Sequence, residues 1–178
     1  GIDHRHVENE ADDLRGDVLL PHRQTEHGPA AATADVNGDG LEDVFIGAAA
    51  GGVGTLFLRT KAGAFVRSTD APWSAYKASE FIGAHFLDAN GDGHPDLYLA
   101  AGSTERPDAA AEYQDRLFLN DGHGRFRVAS DALPTFTTST MAVASADIDA
   151  DGDLDLFVGG RNIPGAYPAA PPSHVLIN

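Results

Sequence analysis

The 178-residue chain contains no cysteine, one methionine and only 12 lysine and arginine residues. Without cysteine, a disulfide framework, a thiolate zinc site and a cysteine nucleophile are all excluded. No stretch of the sequence approaches the ~18 consecutive apolar residues of a membrane-spanning helix, so we expect no membrane span. The few basic residues face 27 acidic ones, which gives a net charge of −15. This balance argues against nucleic acid as a partner, because no basic surface offsets the phosphate charge.

An internal repeat is the main feature that the sequence does have. Three nine-residue acidic segments align without gaps, at 35–43, 88–96 and 147–155, and their starts lie 53 and 59 residues apart. Each segment is followed at once by a short apolar run, and a second apolar run comes later in each unit. The runs are rich in Val, Ile, Leu and Phe and are bounded by Gly, Asp and Asn, which is typical of β-strands. Strand units repeated at this period predict the blades of a β-propeller.

We therefore predict an all-β fold of four-stranded propeller blades, two of them complete and a third lacking its last strand. A three-unit solenoid or a β-sandwich is the alternative fold. Propellers have about 4–8 blades, so we expect this chain to be a fragment of a larger propeller. The remaining blades would come from the parent chain or from other copies. The predicted divisions are a non-repeat N-terminal segment, 1–29, and a blade region, 30–178, with blades at about 30–70, 80–130 and 139–178.

The last apolar run of the third unit, 175–177, is predicted to form an exposed strand edge. Unpaired backbone groups on such an edge accept another strand. We expect this edge to pair with another chain or with the N-terminal segment around the apolar residues 18–20.

The acidic segments have the pattern of a cation-binding loop. Positions 1, 3, 5 and 9 carry oxygen side chains, position 6 is glycine, and the carbonyl of position 7 is placed to face the same centre. Oxygen ligands indicate a hard cation, and a flexible set of five or six favours calcium over magnesium. An EF-hand is excluded because position 12 is an apolar strand residue in all three units. The predicted ligands are Asp35, Asn37, Asp39, Leu41 and Asp43; Asp88, Asn90, Asp92, His94 and Asp96; and Asp147, Asp149, Asp151, Asp153 and Asp155.

The pattern Asp-x-[Asn/Asp]-x-Asp-Gly-x-x-Asp before an apolar strand, present in all three loops, resembles the FG-GAP repeat of integrin α-subunit propellers and the related VCBS repeats. Segments such as 113–120 and 159–168 resemble a bacterial family of large secreted FG-GAP/VCBS proteins. That family is related to the ASPIC/UnbV group and to vertebrate cartilage acidic protein. The resemblance implies an extracytoplasmic propeller stabilised by calcium, with about three Ca²⁺ sites in this chain.

Long, irregular connections are expected on the propeller face opposite the acidic loops. Function concentrates on variable loops held by a rigid scaffold, and aromatic side chains are good anchors for proteins or sugars. The alternative is that these loops only cover the blade ends. The residues of the possible ligand face are Trp73, Tyr76, Tyr113 and Tyr167.

Motifs for catalysis are missing from the sequence. There is no Gly-x-Ser-x-Gly, no His-Glu-x-x-His and no phosphate-binding glycine loop, so we predict no catalytic residue and interpret the chain as a non-enzyme. The expected function is that of a calcium-binding propeller module of a secreted, periplasmic or cell-surface protein, acting as a scaffold that binds a protein or glycan ligand. The alternative is a non-catalytic or accessory propeller domain of a polysaccharide-processing enzyme.

Overall fold

The computed structural model describes residues 1–15, 17–106 and 108–178, which form three antiparallel sheets. Helix in the described residues is confined to 3-10 turns at Asp13–Arg15, Pro72–Tyr76 and Ala110–Tyr113. In this part of the chain no helix has the length and apolar character needed to cross a membrane. The strands are β1 Ala31–Ala34, β2 Asp43–Ile46, β3 Thr55–Arg59, β4 Phe65–Arg67, β5 Glu80–Leu87, β6 Asp96–Gly102, β7 Arg116–Asn120, β8 Phe126–Val128, β9 Ser139–Ala146, β10 Asp155–Asn162 and β11 His174–Leu176.

Each sheet is a meander in which consecutive strands are hydrogen-bonded neighbours. β1–β4 form the first sheet, β5–β8 the second and β9–β11 the third; we call them blades 1, 2 and 3. An acidic loop joins the first two strands of each blade, and a glycine-containing turn joins the last two strands of blades 1 and 2. The predicted all-β fold of propeller blades is confirmed.

The first strands of neighbouring blades lie side by side, β1 beside β5 and β5 beside β9. The approach is tight at Gly83 in β5, where an added Cβ would lie 2.2 Å from the carbonyl oxygen of Met141 in β9. Only glycine fits at this distance, because real Cβ atoms do not come that close to a backbone oxygen. The blades are therefore packed against one another along their inner strands.

The hydrophobic core lies between blades. Trp73, in the connection from blade 1 to blade 2, packs edge-to-face against Phe45 of blade 1 and Phe118 of blade 2. Its indole N–H donates to the carbonyl oxygen of Gly54 at 2.8 Å. A second cluster, between blades 2 and 3, includes Tyr98, Phe136, Leu156 and Val158.

Asp115 links blades 2 and 3 through a buried carboxylate. Its Oδ2 accepts a hydrogen bond from the Tyr98 hydroxyl at 2.6 Å, and its Oδ1 accepts from the Ala101 N–H at 2.8 Å and the Thr140 hydroxyl at 2.6 Å. Burial raises the pKa of Asp115 to about 6. Because both oxygens are used within the fold, this carboxylate serves the packing of the blades.

The N-terminal segment lies across the loops that join the second and third strands of all three blades. It contributes polar side chains and one 3-10 turn, and no strand among its described residues. Its hydrogen bonds to blades 1, 2 and 3 include those of Asn9 with Ala50 (3.0 Å), Thr104 with Asp13 (2.9 Å) and Arg161 with Gln24 (2.7 Å).

The expected pairing of the last strand with the N-terminal segment is wrong. Within the described residues β11 pairs with β10 alone, while Val18 and Leu19 are exposed to solvent. Polar contacts hold the N-terminal segment against the blade loops instead, as described above. Pairing of the β11 edge with another chain stays a prediction.

Candidate metal centres

The three acidic loops fold in the same way. In each loop the carboxylate at position 1 accepts hydrogen bonds from the backbone N–H groups of positions 5 and 6, and the carboxylate at position 5 accepts from the N–H of position 7. The chain therefore curls around its own acidic side chains. The position 1 bonds are Asp35 with Asp39 (3.1 Å) and Gly40 (2.7 Å), Asp88 with Asp92 (3.1 Å) and Gly93 (2.8 Å), and Asp147 with Asp151 (3.2 Å) and Gly152 (3.2 Å).

The turn within each loop needs left-handed backbone conformations. The glycines at position 6 have φ of +83°, +83° and +103°. Position 4 is also left-handed in all three loops, and there the third loop has Ala150, with φ of +63°, where the others have glycine. A side chain in this region is strained, so the third loop closes at a cost that the other two avoid.

Replacing Ala150 by glycine is expected to raise the free energy of unfolding by about 0.5–1 kcal/mol. The change relieves the left-handed strain of about 1–2 kcal/mol, less the extra chain entropy of glycine. Urea denaturation measures the difference. Ala144→Gly, at an exposed position of β9, is the matched control and should be destabilising. Equal losses from both substitutions would contradict the strain at position 150.

Oxygen donors are gathered most densely in the third loop. Among the described residues, Asp147, Asp149 and Asp151 are the one group of three acidic or metal-binding side chains whose ligand atoms lie within 4.8 Å of one another. Partial desolvation and the neighbouring Asp151 raise the pKa of Asp149. In the other two loops position 3 is Asn37 or Asn90, so an amide oxygen replaces one carboxylate. An all-oxygen donor set with two or three carboxylates per loop fits a hard divalent cation.

The aspartates at position 9 have a structural role that the sequence pattern did not reveal. Each is buried at the first residue of the second strand of its blade. One oxygen accepts the N–H of position 2, and the other accepts an N–H from the third strand or the residues just after it. Each carboxylate therefore ties the acidic loop to the third strand. The pairs of donors are Val36 (3.1 Å) and Arg59 (2.7 Å) to Asp43, Ala89 (3.0 Å) and Asn120 (2.7 Å) to Asp96, and Ile148 (2.8 Å) and Asn178 (2.9 Å) to Asp155.

The pKa of these aspartates reflects the same contacts. Burial raises the pKa of Asp43 and Asp96, against the lowering effect of their two N–H donors. In Asp155 the N–H groups of Asn178 and Ile148 prevail and lower the pKa. A carboxylate oxygen with one N–H bond keeps a second lone pair, so ligation by these three residues stays a prediction.

The predicted ligand face is wrong for two of its four aromatic residues. Trp73 and Tyr113 are each only 2% exposed, because Trp73 fills the gap between blades 1 and 2 and the Tyr113 hydroxyl donates to the carbonyl oxygen of Arg106 at 3.1 Å. Tyr76 is half-buried beneath the Arg116 guanidinium, which lies 4.5 Å from its ring centre. Tyr167 is exposed. A loop that closes the space between two sheets buries its aromatic side chain there. Sequence spacing alone does not show whether such a side chain is buried between sheets or exposed to bind a ligand.

A buried glutamate lies at the end of β5 remote from its acidic loop. Glu80 is 3% exposed, and its Oε2 has no hydrogen-bond partner among the described residues. Burial raises the pKa of Glu80 to about 7, and the charges of Glu8 and Glu105 add to the effect. The sequence gives little sign of this group, since a glutamate that begins a strand is ordinarily solvated.

Glu80→Gln is expected to stabilise the protein at pH 8 and to have little effect at pH 4.5. The folded-state pKa of about 7 lies above the unfolded value of 4.5, so the folded state loses stability as pH rises through this window. The full pKa shift corresponds to a loss of about 3 kcal/mol in the free energy of unfolding. Urea denaturation at constant free calcium between pH 4.5 and 8 measures the difference between variant and wild type. Exposed Glu10→Gln is the control, and a difference that does not change with pH would contradict the assignment.

Three meander sheets that share one acidic-loop geometry define a β-propeller-like repeat protein. The sequence matches the FG-GAP-like repeat over residues 35–99 and 105–158, about two thirds of the chain. The chain therefore belongs to the FG-GAP-like repeat family, as its acidic loops predicted. No curated protein matches the sequence.

Proposed function

We propose that this chain is a calcium-binding β-propeller module that serves as a binding scaffold in a secreted or cell-surface protein. The observation that carries the proposal is the recurrence of one loop geometry at three equivalent places. Each loop presents oxygen side chains at positions 1, 3 and 5, on a backbone turn held by the same hydrogen bonds. Chance acidic turns have no reason to share both the donors and their place in the blade.

The charge of the loops supports a divalent cation. Twelve of the 27 acidic residues lie in the three nine-residue loops, where their mutual repulsion opposes loop closure. A bound cation offsets this repulsion. Calcium suits the loops better than magnesium, because it accepts six to eight oxygen ligands in flexible geometry, whereas magnesium demands a near-ideal octahedron.

The scaffold role is supported by the blade architecture. The blades are fixed to one another by two hydrophobic clusters, while the connections from the second to the third strand of each blade form a separate, irregular surface. Rigid elements that carry irregular loops are a common design for binding proteins. Tyr167, the exposed aromatic residue of this surface, is the side chain to replace when protein or glycan ligands are screened.

Calcium stoichiometry tests the proposal directly. After dialysis against a calcium buffer, elemental analysis should find about three calcium ions per chain, one for each acidic loop. Asp39→Ala, Asp92→Ala and Asp151→Ala should each remove one ion. Asp131→Ala removes an exposed carboxylate outside the loops and should remove none. Calcium that is absent from the wild type, or retained in full by all three loop variants, would overturn the proposal.

A further inference from the structure

A cavity of about 210 Å³ lies at the end of blade 2 that is remote from its acidic loop. Residues of three connections, β4–β5, β6–β7 and β8–β9, contribute to its lining. The charged lining residues are Asp115 and Arg116. The Asp115 carboxylate is buried and fully engaged in the contacts between blades 2 and 3 that are described above. Arg116 is therefore the charged group that a ligand in this cavity would meet.

An aromatic ring holds the Arg116 guanidinium in place. The guanidinium lies 4.5 Å from the centre of the Tyr76 ring, and that ring packs edge-on against buried Phe118, with 6.0 Å between the ring centres. The Nε of Arg116 is buried, whereas its two Nη groups are accessible and make no hydrogen bond with the described residues. A guanidinium that is fixed on a ring, with its Nη donors accessible, is ready to pair with an anion.

The walls of the cavity are fixed by Gln114. Its Oε1 accepts the Phe136 N–H at 3.0 Å, and its Nε2 donates to the carbonyl oxygen of Pro134 at 3.0 Å. These bonds hold the β8–β9 connection against the beginning of β7. Two exposed residues of that connection, Ser130 and Thr135, add hydroxyl groups to the lining. A hydroxyl both donates and accepts hydrogen bonds, so these groups suit a ligand that carries hydroxyls of its own.

The lining selects a ring that carries one carboxylate and several hydroxyl groups. A guanidinium pairs with a carboxylate through two parallel N–H···O bonds. Phosphate is less suitable, because it carries about −1.5 to −2 charges and the protein has a net charge of −15. The cavity has the volume of roughly seven water molecules, which is more than a carboxylate on a short aliphatic stem occupies and is close to the size of one sugar ring.

We propose that this cavity binds a uronic acid residue of an acidic saccharide. Arg116 pairs with the carboxylate, and the hydroxyls of Ser130 and Thr135 bond to hydroxyl groups of the ring. The inference rests on the scaffold role proposed above and deepens it by naming the class of ligand. It does not depend on the calcium sites, since the acidic loops lie at the opposite end of the blades.

A titration followed by NMR chemical shifts tests the site with methyl β-D-glucuronide, at constant ionic strength and saturating calcium. Methyl β-D-glucoside, which has the same ring without the carboxylate, is the comparison ligand. We expect the glucuronide to bind once per chain and at least tenfold more tightly than the glucoside, because the glucoside cannot form the charge-assisted pair. Absence of glucuronide binding, or equal binding of the two sugars, would overturn the proposal.

Variants locate the binding. Arg116→Gln should weaken glucuronide binding at least tenfold and remove the advantage of the glucuronide over the glucoside. Arg59→Gln makes the same change of charge at an exposed position of β3 outside the cavity and should bind as the wild type does. Thr135→Ala, at an exposed position, should weaken glucuronide binding by about threefold through the loss of one neutral hydrogen bond. If Arg116→Gln does not fold, Thr135→Ala decides, and wild-type affinity in that variant contradicts the site.

A further ligand distinguishes a saccharide from an acidic peptide. Glutamate blocked at both backbone ends presents its side-chain carboxylate as a polypeptide does, without a sugar ring. We expect it to bind more weakly than the glucuronide, and equal or tighter binding would overturn the saccharide assignment in favour of an acidic peptide.

Elemental analysis of calcium in the same samples separates this site from the calcium sites. Protein that contains calcium but binds no glucuronide contradicts the saccharide site alone. Protein that binds the glucuronide through Arg116 but contains no calcium supports the saccharide site and contradicts the calcium-binding proposal.

Discussion

Removal of calcium with EGTA is expected to lower the melting temperature by about 4–20 °C, at a typical sensitivity of about 2–4 °C per kcal/mol for a chain of this size. The physical reason is repulsion within the loops. Each loop brings carboxylates together on a curled backbone, and without a cation their charges favour the open loop. The third loop, with three carboxylates close together, should depend on calcium most strongly.

The size of the effect follows from binding linkage. Extracellular calcium modules bind with Kd of about 10⁻⁴–10⁻³ M. At ~2 mM free calcium, each site then stabilises the fold by about 0.6–1.8 kcal/mol, and three independent sites by about 2–5 kcal/mol. This is a large fraction of the ~5–15 kcal/mol by which a typical domain is stable.

Differential scanning calorimetry with and without EGTA measures the shift. Added calcium should restore the melting temperature, and equimolar magnesium should restore less of it. Asp151→Ala should lose part of the calcium response, whereas Asp131→Ala should keep all of it. Identical melting of the calcium-loaded and EGTA-treated protein would contradict a stabilising role for calcium.

The blades were predictable because their signals are local. An acidic loop with glycine at position 6 predicts a tight turn, and a short run of β-branched and aromatic residues directly after it predicts a strand that is buried on at least one face. The three-fold repetition of this unit then fixed the class of fold. The resulting sheets, each with its strands in chain order, need no information beyond the repeat.

Features that depend on distant parts of the chain were not predictable in this way. Trp73 is buried because Phe45 and Phe118 come from two different blades. The N-terminal segment has no periodicity, and polar contacts such as that between Asp13 and Thr104 determine where it lies. In both cases the contacting residues are far away in sequence. Residue type alone therefore predicted the wrong surroundings for Trp73 and for the N-terminal segment.

The position 9 aspartates show why the metal pattern was only partly informative. Spacing places Asp96 among the candidate ligands, because position 9 of a calcium loop commonly supplies an oxygen ligand. Spacing does not show that the third strand sends a backbone N–H toward the same carboxylate, as Asn120 does at 2.7 Å. Aspartate therefore serves two purposes in the same loop. At positions 1 and 5 it holds the curled turn, and at position 9 it ties the loop to the third strand.

These two purposes are separable by experiment. Asp96→Ala is expected to lower the free energy of unfolding by about 3–5 kcal/mol, with or without calcium, because it removes two charge-assisted hydrogen bonds and leaves the Ala89 and Asn120 N–H groups without acceptors. Asp92→Ala removes an exposed carboxylate of the same loop. This substitution should be destabilising in calcium, because a ligand is lost. In EGTA it should be nearly neutral, because the weaker repulsion between the remaining carboxylates compensates for the lost contact within the turn.

Urea denaturation of wild type, Asp92→Ala and Asp96→Ala, each in calcium and in EGTA, gives the six free energies that the comparison needs. The expected pattern is a calcium-dependent loss for Asp92→Ala and a loss for Asp96→Ala that persists in EGTA. Asp43→Ala in blade 1 should repeat the behaviour of Asp96→Ala, since its carboxylate accepts the equivalent N–H groups of Val36 and Arg59. A loss for Asp96→Ala that vanishes in EGTA would show that position 9 acts through the metal, and that its two backbone contacts add little to the stability of the blade.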